Sequence, residues 1–260
     1  MPLLKDKIAE LLVMKKYPSE ISYSGNKELL KKTKISIVGS RKPTKYSRDM
    51  IQRLVMSLVK YDICIVSGGA MGIDAVAHSS AGASSTIAVL PTGINIKYPA
   101  VNKNLLTDIE KNGLLLSQFK DDFRATPWSF VVRNELVVAL GDILVVGEAE
   151  LDSGTMRSVE FALKMGKEIF VFPQRLGESG ATNKLLEESK AKCIYNIDNF
   201  LSKFCDTSKI SKSVKKDDFL EFCSTNPSYE EVLSKFPSRV FEAELSGEII
   251  IKNGRVLTTL

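Results

Sequence analysis

Four short stretches combine glycine with a hydroxyl or a guanidinium where β-prone runs end. They are Gly39-Ser40-Arg41-Lys42-Pro43, Ser67-Gly68-Gly69-Ala70-Met71-Gly72-Ile73-Asp74, Pro91-Thr92-Gly93 and Asp152-Ser153-Gly154-Thr155. Glycine lets backbone N–H groups approach a ligand, and a helix beginning just after such a loop adds the positive end of its dipole. That is the chemistry of phosphate binding. Arg41 adds a planar, permanently charged fork suited to phosphate oxygens. A tight β-to-α turn also uses glycine, so one loop alone says little; several together favour a shared anion pocket. No GxxxxGK[ST] occurs, which disfavours a P-loop nucleotidase, and Gly39-Ser40-Arg41 stands where a dinucleotide fold would carry GxGxxG.

A second constellation is Thr126-Pro127-Trp128-Ser129-Phe130-Val131-Val132-Arg133-Asn134, which brings the single tryptophan, a phenylalanine and an arginine to the beginning of a helix. Aromatics beside basic residues and phosphate loops are what single-stranded nucleic acid binding uses, because every base offers a π-face. An aromatic plug in the core is the competing reading, stronger for Phe130 than for Trp128. Asp74 and His78 lie four residues apart and share one helix face, where they can pair and brace the glycine loop. Without a serine at a nucleophile elbow they read as structural support, not as catalytic groups. His78 is the single histidine, and Cys64, Cys193, Cys205 and Cys223 form no CxxC pair. Neither a metal site, a disulfide framework nor a cofactor is expected.

The elements that must position these residues follow from the apolar pattern. Short β-rich runs at 35–38, 63–67, 86–90, 114–117, 143–146, 169–172 and 192–195 alternate with helix-period stretches at 48–60, 73–81, 103–111, 130–140, 156–165 and 183–189. This alternation predicts an α/β fold: a Rossmann-like, doubly wound, mostly parallel sheet covered on both faces. In such sheets ligands bind beyond the carboxyl ends of the strands, which is where the glycine loops fall.

Of 260 residues, 44% are hydrophobic and 26% charged, a composition that excludes a disordered or fibrous chain and suits one large domain with a small appendage. The net charge of +5 only hints at a polyanionic partner, since distribution sets the local field. No apolar run is long enough to span a membrane, and residues 11–14 are followed too soon by Lys15 and Lys16 to read as a signal peptide. A cytoplasmic protein without membrane contact is expected. Residues 1–34 read as an N-terminal lead-in with a short amphipathic helix around 8–14, and 35–205 as the Rossmann-like domain. The polar, basic stretch 206–216 reads as a linker. Residues 217–260 read as short helices followed by a hairpin across Asn253-Gly254, which suggests a small winged-helix-like domain.

Taken together, Ile37 to Arg41, Ser67 to Asp74 with Ala77-His78, Thr86 to Leu90, Tyr98-Pro99, Leu116-Ser117, Phe130 with Arg133-Asn134, Ser153-Gly154-Thr155, and Gly180 with Asn183 resemble, in order, the DNA-processing protein A (DprA/Smf) family of natural-transformation proteins. The resemblance runs from about Tyr17 to Asn196. It implies an extended Rossmann fold that forms a homodimer and binds single-stranded DNA taken up during transformation, with double-stranded DNA a weaker partner. It also implies that the protein protects the strand and helps load the recombinase RecA onto it, without enzymatic activity. Carried over to this chain, the phosphate-gripping positions become Ser40, Arg41, Ser67, Gly68 and Gly69, and Phe130 becomes the base-contacting aromatic. Gly39, Lys42, Thr92, Gly93, Arg133, Asn134, Ser153, Gly154 and Thr155 complete the expected DNA site. Two departures remove positive charge: Met71 stands where the family's glycine loop commonly has arginine, and Glu135 ends the usual Arg-Asn-Arg motif.

Two other readings compete. Gly154, Thr155 and Glu160 are reminiscent of the lysine-decarboxylase-like (LOG) phosphoribohydrolases, although Glu160 lies two residues farther along than that family's spacing, a rotation of about 200° on a helix. A plain nucleotide-sensing Rossmann module would bind mononucleotides without regard to strand length.

Overall fold

The computed structural model describes residues 2–204, 218–223, 225–245, 247–252 and 254–258. The chain divides into two compact units, Met1–Asp206 and Thr207–Leu260. The expected linker at 206–216 lies outside the described residues.

The first unit is built on eight strands: β1 (Ser22–Gly25), β2 (Lys34–Val38), β3 (Cys64–Ser67), β4 (Thr86–Val89), β5 (Leu114–Ser117), β6 (Ile143–Val146), β7 (Ile169–Val171) and β8 (Lys192–Cys193). Their order across the sheet is β1-β5-β4-β3-β2-β6-β7-β8. Every neighbouring pair is parallel except β1 with β5. The connecting helices are α1 (Lys45–Lys60), α2 (Ile73–Ala81), α3 (Lys103–Asn112), α4 (Pro127–Leu140), α5 (Thr155–Lys164), α6 (Gly180–Glu187) and α7 (Ile197–Leu201).

Successive residues of the strands bury themselves in opposite layers, as the period of two requires. Ile35, Ile37, Ile65, Val145 and Phe170 pack with Ile51, Leu54 and Leu58 of α1, Ile73 and Ala77 of α2, and Phe200 of α7. Val38, Val66, Val89, Leu144 and Val171 pack on the other side with residues of α4, α5 and α6. Strands covered on both faces read as continuous apolar runs, which is why β2 to β7 are recognisable in the sequence. From β2 the chain steps through β3 and β4 to β5, then returns to place β6 on the opposite flank of β2. The connections therefore diverge at β2 and β6 and open a crevice beyond their carboxyl ends.

Two features differ from the expectation. Residues 1–34 are not a separate lead-in: Ser22–Gly25 is an edge strand, paired with Leu114–Ser117. The helix expected around 8–14 is only a 3₁₀ turn, Ala9–Val13. The segment is fastened by Lys34, whose buried ammonium pairs with Glu10 and donates to the carbonyls of Leu30 and Lys32. A four-residue edge strand, only partly buried, carries no pattern long enough to be seen in the sequence. Helix α4 also begins three residues earlier than expected. Proline suits its first position, and Thr126 and Ser129 close a capping box around it.

The second unit contains α8 (Asp218–Cys223), α9 (Tyr229–Lys235) and α10 (Pro237–Leu245), followed by an antiparallel pair, β9 (Ile249–Lys252) and β10 (Arg255–Thr258). Phe219, Cys223, Val232, Val240, Ile249 and Val256 form its core. Asn253 of the expected turn is outside the described residues; Gly254 has the positive φ such turns need. No helix among the described residues is long and apolar enough to cross a membrane.

Candidate nucleic-acid interface

A cavity of about 600 Å³ occupies the crevice beyond β2 and β6. Gly39, Ser40 and Arg41 line it from the loop after β2, and Ser153, Gly154, Thr155, Arg157 and Ser158 from the loop after β6 and the start of α5. Phe130, Arg133 and Asn134 of α4 form a third wall. The guanidinium of Arg41 lies over the Phe130 ring, 5.1 Å from its centroid, and Tyr98 meets the same ring edge-on at 5.8 Å. Arg41 and Lys42 are exposed, but Lys42 does not line the cavity.

The loop carrying Arg41 is held by main-chain contacts. Ser40 donates its N–H to the Glu148 carbonyl at 2.8 Å, and its own carbonyl accepts from Ile73 N–H at 3.0 Å. The buried Glu148 carboxylate accepts from both the N–H and the hydroxyl of Thr44, each at 2.8 Å, and so fixes the far end of the loop at the cap of α1. Gly72, with φ of 77°, lies where a Cβ would run into the Ser40 carbonyl and the Arg41 backbone. Only glycine permits this contact. Glu148 and Arg157 were missed in the sequence; the position of Arg157 in the first turn of a helix after Gly154-Thr155 was the available signal.

The second glycine loop turns two of its amides inward. The Asp74 carboxylate accepts from Gly68 N–H at 3.2 Å and from Ala70 N–H at 3.3 Å. The Arg133 guanidinium donates to the carbonyls of Gly68 and Val89, and a Cβ on Gly68 would overlap it. Both charged residues are buried, Asp74 at 6% and Arg133 at 3% exposure. Burial pushes the Asp74 carboxyl up, while Arg133 and the amides of Ala70 and Gly68 oppose that rise. Burial brings Arg133 down to about 10, with Asp74 opposing and Arg41 adding to the fall, so it stays cationic at neutral pH. Arg133 therefore lines the cavity with its charge already engaged.

His78 does not pair with Asp74. Its Nδ1 lies 2.7 Å from the Thr86 hydroxyl. That hydroxyl spends its proton on the Ile65 carbonyl, so Nδ1–H is the donor to Thr86. Nε2 is buried without a partner, and burial first, then Arg133, lowers the ring to about 3.

Three further expected contacts are relocated. Ser67 is buried and donates to the Ile37 carbonyl. Thr92 is buried and donates to the Ile96 carbonyl at 2.6 Å, and Gly93 N–H donates to the Phe123 carbonyl at 2.8 Å. For Thr92 and Gly93 the reason is strand order: β4 lies two strands from β2, so its loop meets residues 118–123 and not the crevice. Gly69 is buried with φ of 68° and serves the turn. The structure thus brings together Gly39, Ser40, Arg41, Gly68, Phe130, Arg133, Asn134, Ser153, Gly154 and Thr155 around the crevice or its small annex of about 30 Å³. Ser67, Gly69, Thr92 and Gly93 belong to the frame. Glu160, required for the hydrolase reading, is exposed and ion-paired with Arg157 at 3.0 Å, and does not line the cavity.

The sequence model for the DNA recombination-mediator protein A family matches residues 5–205. The DNA processing protein DprA of Streptococcus pneumoniae is 32% identical over 191 residues, covering 72% of this chain and 67% of that protein. The Bacillus subtilis DprA is 30% identical over 187 residues, which span 63% of its length. Among solved structures, DNA processing protein A from Helicobacter pylori, described for its single-stranded DNA binding mode, superposes with a TM-score of 0.76 and 38% identity, covering 78% of this chain and 94% of that one. The S. pneumoniae structure gives 0.73 and 30%, covering 78% and 74%. The chain belongs to the DNA recombination-mediator protein A family.

Two outcomes follow from the buried charges. Arg133→Gln takes the guanidinium donor from the buried carbonyls of Gly68 and Val89 and should cost about 1–3 kcal/mol in urea denaturation, whereas Arg41→Ala should stay within about 0.5 kcal/mol. For His78, the folded value near 3 lies below the unfolded 6.5. The unfolded chain therefore takes up a proton first as pH falls, and stability drops across that window by up to about 1.4 kcal/mol per pH unit. The difference in stability between wild type and His78→Asn should shrink from pH 6.5 toward 3; a constant difference would show that His78 titrates normally.

Proposed function

We propose that this chain binds single-stranded DNA in the crevice between β2 and β6. Phosphates are taken by Arg41, Ser40 and the Gly39 backbone on one side and by the Gly154–Thr155 turn on the other, where Ser153 lines the wall with its hydroxyl held by the Glu150 carbonyl, and a base lies against Phe130. Lys42 and Asn134 assist from the rim, and Gly68 shapes the annex. The observation that carries this reading is the Arg41–Phe130 pair at 5.1 Å, a guanidinium and an aromatic ring side by side on a cavity walled by glycine loops from two strands. A phosphate and its neighbouring base present the same two chemistries. The Helicobacter relative's DNA-binding character supports it.

The wider role rests on family membership: protection of DNA taken up in transformation, delivery of that strand to the recombinase RecA, action as a homodimer, and a cytoplasmic setting. Double-stranded DNA is the weaker partner in this reading. The order of three helices and a hairpin in the second unit suits a winged-helix module. Exposed Glu230, Glu242 and Glu244 on its helices suit protein contact better than a phosphate backbone.

Salt titration of oligonucleotide affinity tests the site. Each phosphate contact contributes a slope of about 0.7 in log affinity against log salt for a single strand. Arg41→Ala should weaken binding and flatten the slope, while Phe130→Ala should weaken it with little change of slope, since stacking releases no counterion. An Arg41→Ala titration superimposable on wild type would remove Arg41 from the interface. For the wider role, strand exchange by RecA on DNA coated with single-strand-binding protein should accelerate when this protein is added; no acceleration would count against recombinase delivery.

A further inference from the structure

We propose that Trp128 is a second base-stacking platform, met by the single strand as it leaves the crevice; the inference rests on the DNA-binding reading above. Trp128 is the single tryptophan, and its side chain is 62% exposed. Its ring meets Phe119 edge-on at 5.9 Å, and Phe119 stacks on Phe123 at 4.9 Å with an interplanar angle of 15°. The half-buried phenylalanines hold the indole from below and leave most of its surface in water. Leaving so large an apolar ring exposed forgoes its burial energy, and the trio does not fill a core.

The position of the ring relates it to the crevice. Pro127 and Phe130 line the cavity, and Trp128 lies between them in the first turn of α4. Residues two apart on an α-helix project about 200° apart, so Phe130 and Trp128 stand on opposite flanks of the same turn. Ser129, buried between them, is locked into the capping box with Thr126, which keeps the spacing rigid. A strand with one base at Phe130 that crosses the tip of α4 arrives at the indole. The loop leading to this turn carries Lys120 and Arg124 against Asp121 and Asp122, an even balance. An aromatic face without surplus charge suits a nucleobase better than a phosphate, and the adjoining Pro127, which lines the crevice while Trp128 stands outside it, favours the DNA strand over a protein surface.

Being single, the tryptophan reports on itself. The full chain is titrated with oligothymidylates of increasing length while its intrinsic fluorescence and affinity are followed. Long strands should quench the emission and short ones that still bind through Arg41 should not. Trp128→Ala should weaken long-strand binding roughly 5- to 150-fold, the equivalent of one lost stack, with short-strand affinity and salt slope unchanged. Trp128→Phe should restore most of the loss. Long strands that bind without altering the emission, together with a Trp128→Ala protein of wild-type affinity, would overturn the inference and leave the DNA-binding reading standing. So would an equal loss at every length, which would make the trio a support of the crevice. If no oligothymidylate binds wild type at all, it is the DNA-binding reading that fails first.

Discussion

The grip of two buried charges on one peptide segment underlies the geometry of the crevice. Asp74 takes the amides of Gly68 and Ala70 from one side while Arg133 takes the Gly68 carbonyl from the other. Neither charge is tolerable alone in so dry a place, and each is compensated by the peptide dipoles it binds as well as by its neighbour. The segment they fix ends at Gly72, against which the Arg41 loop rests. The exposed arginine at the cavity mouth thus owes its position to a buried one in the cavity wall.

This division of labour separates residues that look alike in the sequence. Arg41 and Arg133 both follow the pattern of a phosphate-binding arginine, yet one is exposed and the other gives Nη1 to the carbonyls of Gly68 and Val89 and Nε to Asn134. The same holds for hydroxyls. Ser40 and Thr155 line the cavity, whereas Ser67 and Thr92 are consumed by carbonyls of the frame, and Ser153, though it lines the cavity, gives its hydroxyl to the Glu150 carbonyl. A helix that starts at Pro127 rather than at Phe130 lifts Trp128 onto a rigid turn instead of a loop.

The parallel core was legible in the sequence because strands buried on both faces produce uninterrupted apolar runs, and helices such as Ile73–Ala81 carry clear boundaries. The edge strand Ser22–Gly25 was not legible, since its pairing depends on β5 and not on a pattern of its own. Convergence of the loops after β2 and β6 was legible from the rule that ligands gather at carboxyl ends. Which loops converge depends on strand order, and nothing in Thr92-Gly93 signals that β4 lies too far from β2. The direction of the Gly68 and Ala70 amides was equally hidden: Asp74 looked like a partner for His78, while the structure gives His78 to Thr86. Loop chemistry and family resemblance together supplied the expected set, and neither distinguished frame from surface within it.

The contact between Gly72 and the Ser40–Arg41 backbone has an evolutionary corollary. Where two segments meet main chain against main chain, the outline of the hollow does not depend on which side chains decorate its lip. Ornament at the margin, Met71 and Glu135 included, can then be exchanged without moulding the cavity anew. Electrostatic strength is then open to adjustment while the outline is kept.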